Sequence, residues 1–125
     1  MENKKYYEII YDDIVDDVIF KFKKLNPIEH LSFILKSQDD QGQIDKVEEF
    51  VKKVLQCCLW SKDMKNFFPL VDDSGSARLP ELNDDPGISL IMFSRFKSEV
   101  LMPVFTESKA FQKGLKEKET KQAEQ

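Results

Sequence analysis

Val18-Ile19-Phe20-Lys21-Phe22-Lys23-Lys24-Leu25-Asn26-Pro27-Ile28-Glu29-His30-Leu31 carries two periodicities in succession, and the change between them sets the fold class. In the first five residues Val18, Phe20 and Phe22 share one side while Ile19 and Lys21 take the other, the alternation of a strand. Past Lys24 the chain reads as a helix start. Asn26 can accept a backbone N–H as N-cap, Pro27 suits the first helical position, and Glu29 sits in the first turn. Ile28, Leu31, Ile34 and Leu35 then recur at helical spacing, which predicts a helix over about 27–36.

On the N-terminal side, Tyr6-Tyr7-Glu8-Ile9-Ile10-Tyr11 is aromatic and β-branched, as strands tend to be. With Asp12-Asp13 and Asp16-Asp17 between the two arms, the simplest expectation is a β-hairpin over about 6–22 with an acid-rich turn, and the alternative is a helix through the second arm. On the C-terminal side Ser37 to Gln43 reads as a polar loop, and Asp45-Lys46-Val47-Glu48 has capping-box spacing. Val47, Phe50, Val51, Val54, Leu55, Cys58 and Leu59 follow at helical period, predicting a helix over about 45–60. Asp72-Asp73-Ser74-Gly75-Ser76 is a turn, and Leu79 to Gly87 a proline-bracketed connector. Asp85-Pro86 repeats the Asn26-Pro27 logic and opens a helix over about 86–102, with Leu90, Phe93, Val100 and Leu101 on one side and Met92 and Phe96 beside them. Pro103 breaks or kinks that run, and a short helix restarts over about 106–112. The expected fold is mainly α (α+β): an N-terminal β-hairpin followed by three to four helices in a small bundle, one domain over 1–112. Residues 113–125, charged and without an apolar face, are expected to be a disordered or frayed tail.

Composition narrows the function classes. At 125 residues and 41% hydrophobic, the chain can bury a core without disulfides or metals. Its net charge of -4 disfavours nucleic-acid binding, which needs a basic stripe, and no apolar run is long enough for a membrane span. Cys57 and Cys58, adjacent in an apolar run read as helical, suit neither a routine disulfide nor joint chelation of one zinc; burial in a reducing compartment is the expectation. His30 is the sole histidine, so no base-and-acid pair or histidine metal site can be built. The aspartate pairs match no cation motif, and the four glycines form no phosphate-cradling loop. No catalytic residue, metal or cofactor is expected. The remaining candidates are apolar: Trp60, Met64, Phe67, Phe68, Met92, Phe93, Phe96, Met102, Phe105 and Phe111 exceed what a small helical core obviously needs. Packing the core is the first expectation for most of them; the second is an exposed groove for a partner, with Trp60, Phe67, Phe68, Met92, Phe93 and Phe96 as the candidate partner-binding residues.

The hairpin, the segment Leu25-Asn26-Pro27-Ile28-Glu29-His30-Leu31 and the run ending Cys58-Leu59-Trp60-Ser61 occur in an order that resembles the tail assembly chaperones of long-tailed bacteriophages, in particular the shorter lambda-type protein. The resemblance covers roughly residues 6–61. It implies a small, acidic, largely helical protein without enzymatic activity, made in the host cell cytoplasm and absent from the mature virion. Its implied partners are the tape-measure protein and the tail-tube protein, with self-association along the client. The competing expectation is a different small helical interaction protein of a mobile element, an inhibitor or adaptor of a host protein.

Overall fold

The computed structural model describes residues 8–38 and 44–123. Its sheet begins with the expected hairpin, β1 (Tyr11–Val15) and β2 (Val18–Phe22), paired antiparallel. The turn is Asp16-Asp17, with Asp17 at φ 64, a left-handed conformation that aspartate tolerates. Asp12 and Asp13 therefore lie in β1 itself, and the Tyr6-Tyr7 start of the expected arm falls outside the described residues. Val18, Phe20 and Phe22 are buried while Ile19 and Lys21 are half-buried, as the alternation requires.

Helix α1 (Pro27–Gln38) opens with a reciprocal cap. The Glu29 N–H donates to Asn26 Oδ1 at 2.8 Å, and the Asn26 N–H donates to Glu29 Oε1 at 3.1 Å. Helix α2 (Ile44–Gln56) follows. Of the loop expected from Ser37 to Gln43, Ser37 and Gln38 belong to α1 and the rest lies outside the described residues, while Asp45, the expected N-cap, stands inside α2, which begins a residue before it.

The first departure from expectation comes at the end of α2. It stops at Gln56, Cys57 turns, and Cys58–Ser61 form strand β3, not the last turn of a helix reaching residue 60. β3 pairs antiparallel with β2, setting Phe22 opposite Cys58 and Phe20 opposite Trp60. A short apolar run satisfies strand and helix patterns alike, and the unpaired backbone along the second edge of β2 decides between them. A short β4 (Phe68–Pro69) completes the antiparallel order β1-β2-β3-β4. The following loop closes on Asp72, whose Oδ1 accepts the Ser74 and Ser76 N–H groups at 2.9 Å each, with Gly75 supplying φ 88.

After the short α3 (Glu81–Asp84), helix α4 (Gly87–Phe96) packs Ile88, Met92 and Phe96 inward at i, i+4, i+8 spacing. Leu90, expected on the inner side, is 68% exposed. The chain then widens into a single π-helical turn, Lys97–Leu101, in which the Met102 N–H donates to Lys97 O at 2.8 Å. The cause is Pro103. It has no N–H for the preceding turn and its ring crowds the carbonyls there, so the helix takes up a residue before restarting. Helix α5 (Pro103–Glu107) ends at Ser108, whose Oγ accepts the Phe111 N–H at 3.1 Å and caps α6 (Lys109–Ala123). The helix thus runs through most of the segment expected to be a tail. Phe105 and Phe111 join α5 to α6, ring centroids 5.2 Å apart.

The fold is α+β, with helices packed on one face of the sheet. Aromatic edge-to-face contacts tie the layers together: Phe96 meets Phe22 at 5.6 Å and Phe33 at 5.4 Å, and Phe33 meets Phe50 at 6.1 Å. Arg95 reaches back from α4 to the hairpin, bonding both Asp13 oxygens at 3.3 Å and covering the Tyr11 ring at 4.1 Å. That contact holds the Asp13 carboxyl below its usual range. Among the described residues no helix is long and apolar enough to cross a membrane.

Candidate docking surface

The structure divides the six aromatic and methionine candidates. Met92 and Phe96 are wholly enclosed, because α4 turns them onto the sheet beside Ile88, so neither presents surface to a partner. Phe93 is half-buried between Phe50, at 5.9 Å, and the Lys97 ammonium, at 5.7 Å. Trp60 and Phe68 come together as a cross-strand pair 5.3 Å apart, with the Arg78 guanidinium 5.5 Å from the Phe68 ring. Phe67 sits under Lys21 at 4.2 Å, and Lys21 pairs with Leu59 on the strand positions that alternate with Phe20 and Trp60. Of the six only Phe68 is exposed, at 38%. The six do not form one patch.

The larger apolar surface lies on α1. Phe33, 7% exposed, anchors this helix to Phe50 and Phe96. At about 100° per residue, Ile28, Leu31 and Leu35 fall within about 60° of one another and some 140–200° around the helix from Phe33. They are 76%, 54% and 58% exposed. An apolar stripe ordinarily faces the core; here the single large aromatic off the stripe takes the inner position, and only the stripe's edge residue Ile34 packs against the core. The signal available in the sequence was the size of Phe33, which outweighs any one aliphatic residue of the stripe.

Two clefts flank this ridge. Toward α5 lies an apolar hollow of about 350 Å³ lined by Leu25, Pro27, His30, Leu31, Ile34 and Val104. Burial pulls the His30 imidazole below its usual pKa, opposed by a bond to the Leu101 backbone. Toward α2 lies a cleft of about 370 Å³ whose walls include Ile28, Ser32, Phe33, Lys36, Lys53 and Cys57. The two thiols are buried and free, and desolvation pushes Cys57 up to about 11 and Cys58 higher than its ordinary value, which suppresses the reactive thiolate. Among the described residues no group of three His, Cys, Asp or Glu side chains is placed to hold a metal ion.

Comparison of the chain with protein-family models, with curated proteins and with solved structures found no match.

Proposed function

We propose that this protein is a non-enzymatic tail assembly chaperone of a long-tailed bacteriophage, binding the tape-measure protein and helping to recruit tail-tube subunits in the host cytoplasm. The observation that carries the reading is the outward ridge Ile28, Leu31 and Leu35. Two of its residues belong to the Ile28-Glu29-His30-Leu31 segment on which the family resemblance rests. A tape-measure protein is a long helix-rich chain that must be kept from aggregating before the tube closes around it. A ridge at i, i+3, i+7 spacing is the form of surface that packs against another helix. The net charge of -4 gives the loaded complex a repulsive exterior. One element of the resemblance is altered by the fold: Leu59-Trp60 stands in β3 and not at the close of a helix.

The test is co-expression with fragments of the tape-measure protein encoded beside this gene. The wild-type chain should keep a fragment soluble and co-purify with it, and Ile28→Ser/Leu31→Ser/Leu35→Ser should fold but lose the fragment. A gene lying outside a tail operon, or a soluble fragment that ignores the chain, removes the reading.

A further inference from the structure

The cleft between α1 and α2 is unlike the rest of this acidic protein. Among its lining side chains three ammonium groups, Lys23, Lys36 and Lys53, face one carboxylate, Glu29. Glu29 is already engaged, paired with Lys23 at 3.3 Å and closing the α1 cap. Lys36 and Lys53 line the same cleft, and the like charge of Lys53 lowers the proton affinity of Lys36. Glu49 acts on Lys36 in the opposite sense and more weakly, and it also pairs with Lys52 at 3.6 Å. Helix dipoles favour a lysine in the last turn of α1 and another in the last turn of α2. They do not account for both converging on one hollow with Phe33 and Cys57 in its wall. An anion seated there would offset the like charges and gain charge-assisted hydrogen bonds from the lysines.

We infer that this cleft receives a carboxylate side chain carried by an amphipathic helix of the partner protein, whose apolar residues lie along Ile28, Leu31 and Leu35. The inference rests on the reading of α1 as a helix-binding ridge and adds a charge rule to it. Ile28 belongs to both surfaces, lining the cleft and heading the ridge, so one docked helix can engage the two together. Charge complementarity selects this occupant. A polyanion such as nucleic acid would be repelled by the net charge of -4, whereas a single carboxylate meets only the local lysines.

The experiment is an NMR titration of the full chain with two designed amphipathic peptides of about eighteen residues, identical except for Glu or Gln beside the leucine stripe. Because the protein is acidic, long-range electrostatics favour the Gln peptide, so tighter binding of the Glu peptide reports the cleft. The wild type should prefer Glu by on the order of ten-fold. Lys36→Gln/Lys53→Gln should erase that preference while still binding the Gln peptide. Equal affinities, or a preference that survives in the double variant, overturn the cleft and leave the ridge standing. Binding of neither peptide overturns the ridge as well. Inorganic phosphate saturating the lysine signals as strongly as the Glu peptide would make the site one for small free anions, and self-association lost in the double variant without peptide would make the occupant a second copy; either result overturns the proposal.

Discussion

Phe33 decides more about this surface than any other single side chain. It is the pivot between Phe50 and Phe96, and by turning inward it turns Ile28, Leu31 and Leu35 out. Truncating it leaves a cavity in a close-packed interior, so Phe33→Ala should cost about 3–5 kcal/mol. Leu31→Ser, a change on the exposed ridge, should stay within about 0.5–1 kcal/mol, as surface changes and the small helix-propensity difference allow. Urea unfolding of the two variants gives the comparison; similar losses in both would mean that α1 packs through its stripe after all. The two cysteines obey the same rule at this scale. Their side chains are small and apolar enough to be buried where α2 gives way to β3, and the burial that suits them to the core suppresses their thiolates.

At the scale of the element, α1 shows how locally a helix end is written. Asn26, Pro27 and Glu29 act within four residues of one another: Asn26 is the expected N-cap, and Glu29, expected as a first-turn acid, adds the reciprocal bond to the Asn26 N–H. Asn26→Ala should therefore lower stability by about 1 kcal/mol, measured by thermal or urea unfolding, and Asn26→Ser should recover most of it. A loss at or near zero would show that Pro27 and the Lys23–Glu29 pair hold the helix start without the cap. The ends of α2 and α4 were less legible because their causes lie elsewhere in the chain. α2 yields to β3 where β2 needs a second neighbour, and α4 widens at residues 97–101 because of a proline beyond it. Pro103 itself announced a disturbance; the form of that disturbance depended on Val100 and Leu101 both finding buried places.

For the molecule as a whole, the titration of His30 links the contact between α1 and the π-helical turn to folding. Its folded pKa lies below the ordinary 6.5 because burial disfavours the imidazolium. Between that lowered value and 6.5 the unfolded chain binds more protons than the folded one, so stability rises with pH across the window. The contribution is complete above 6.5 and is lost as the pH falls toward the folded pKa. Thermal unfolding at pH 7.5 and 5.5 should show a drop for the wild type that His30→Gln makes smaller. An equal drop in both would assign the pH dependence to other groups. The acidic surface contributes at lower pH: Asp13, Asp63 and Asp72 all have carboxyl groups held down by hydrogen bonds, and their stabilisation disappears as the medium becomes acid enough to protonate them.

The sequence by itself determined whatever depends on neighbours a few residues apart: the two-residue alternation of β2, the Asn26–Glu29 cap, the Asp72–Ser76 turn and the disturbance before Pro103. Each follows from backbone sterics and short hydrogen bonds that the local residues carry with them. Tertiary structure alone decided that Cys58–Ser61 would be a strand, that Met92 and Phe96 would be enclosed, and that α1 would show its aliphatic stripe to solvent. Those outcomes turn on which apolar groups compete for one interior and which backbone edge is left to pair, and both are settled between segments far apart in the chain.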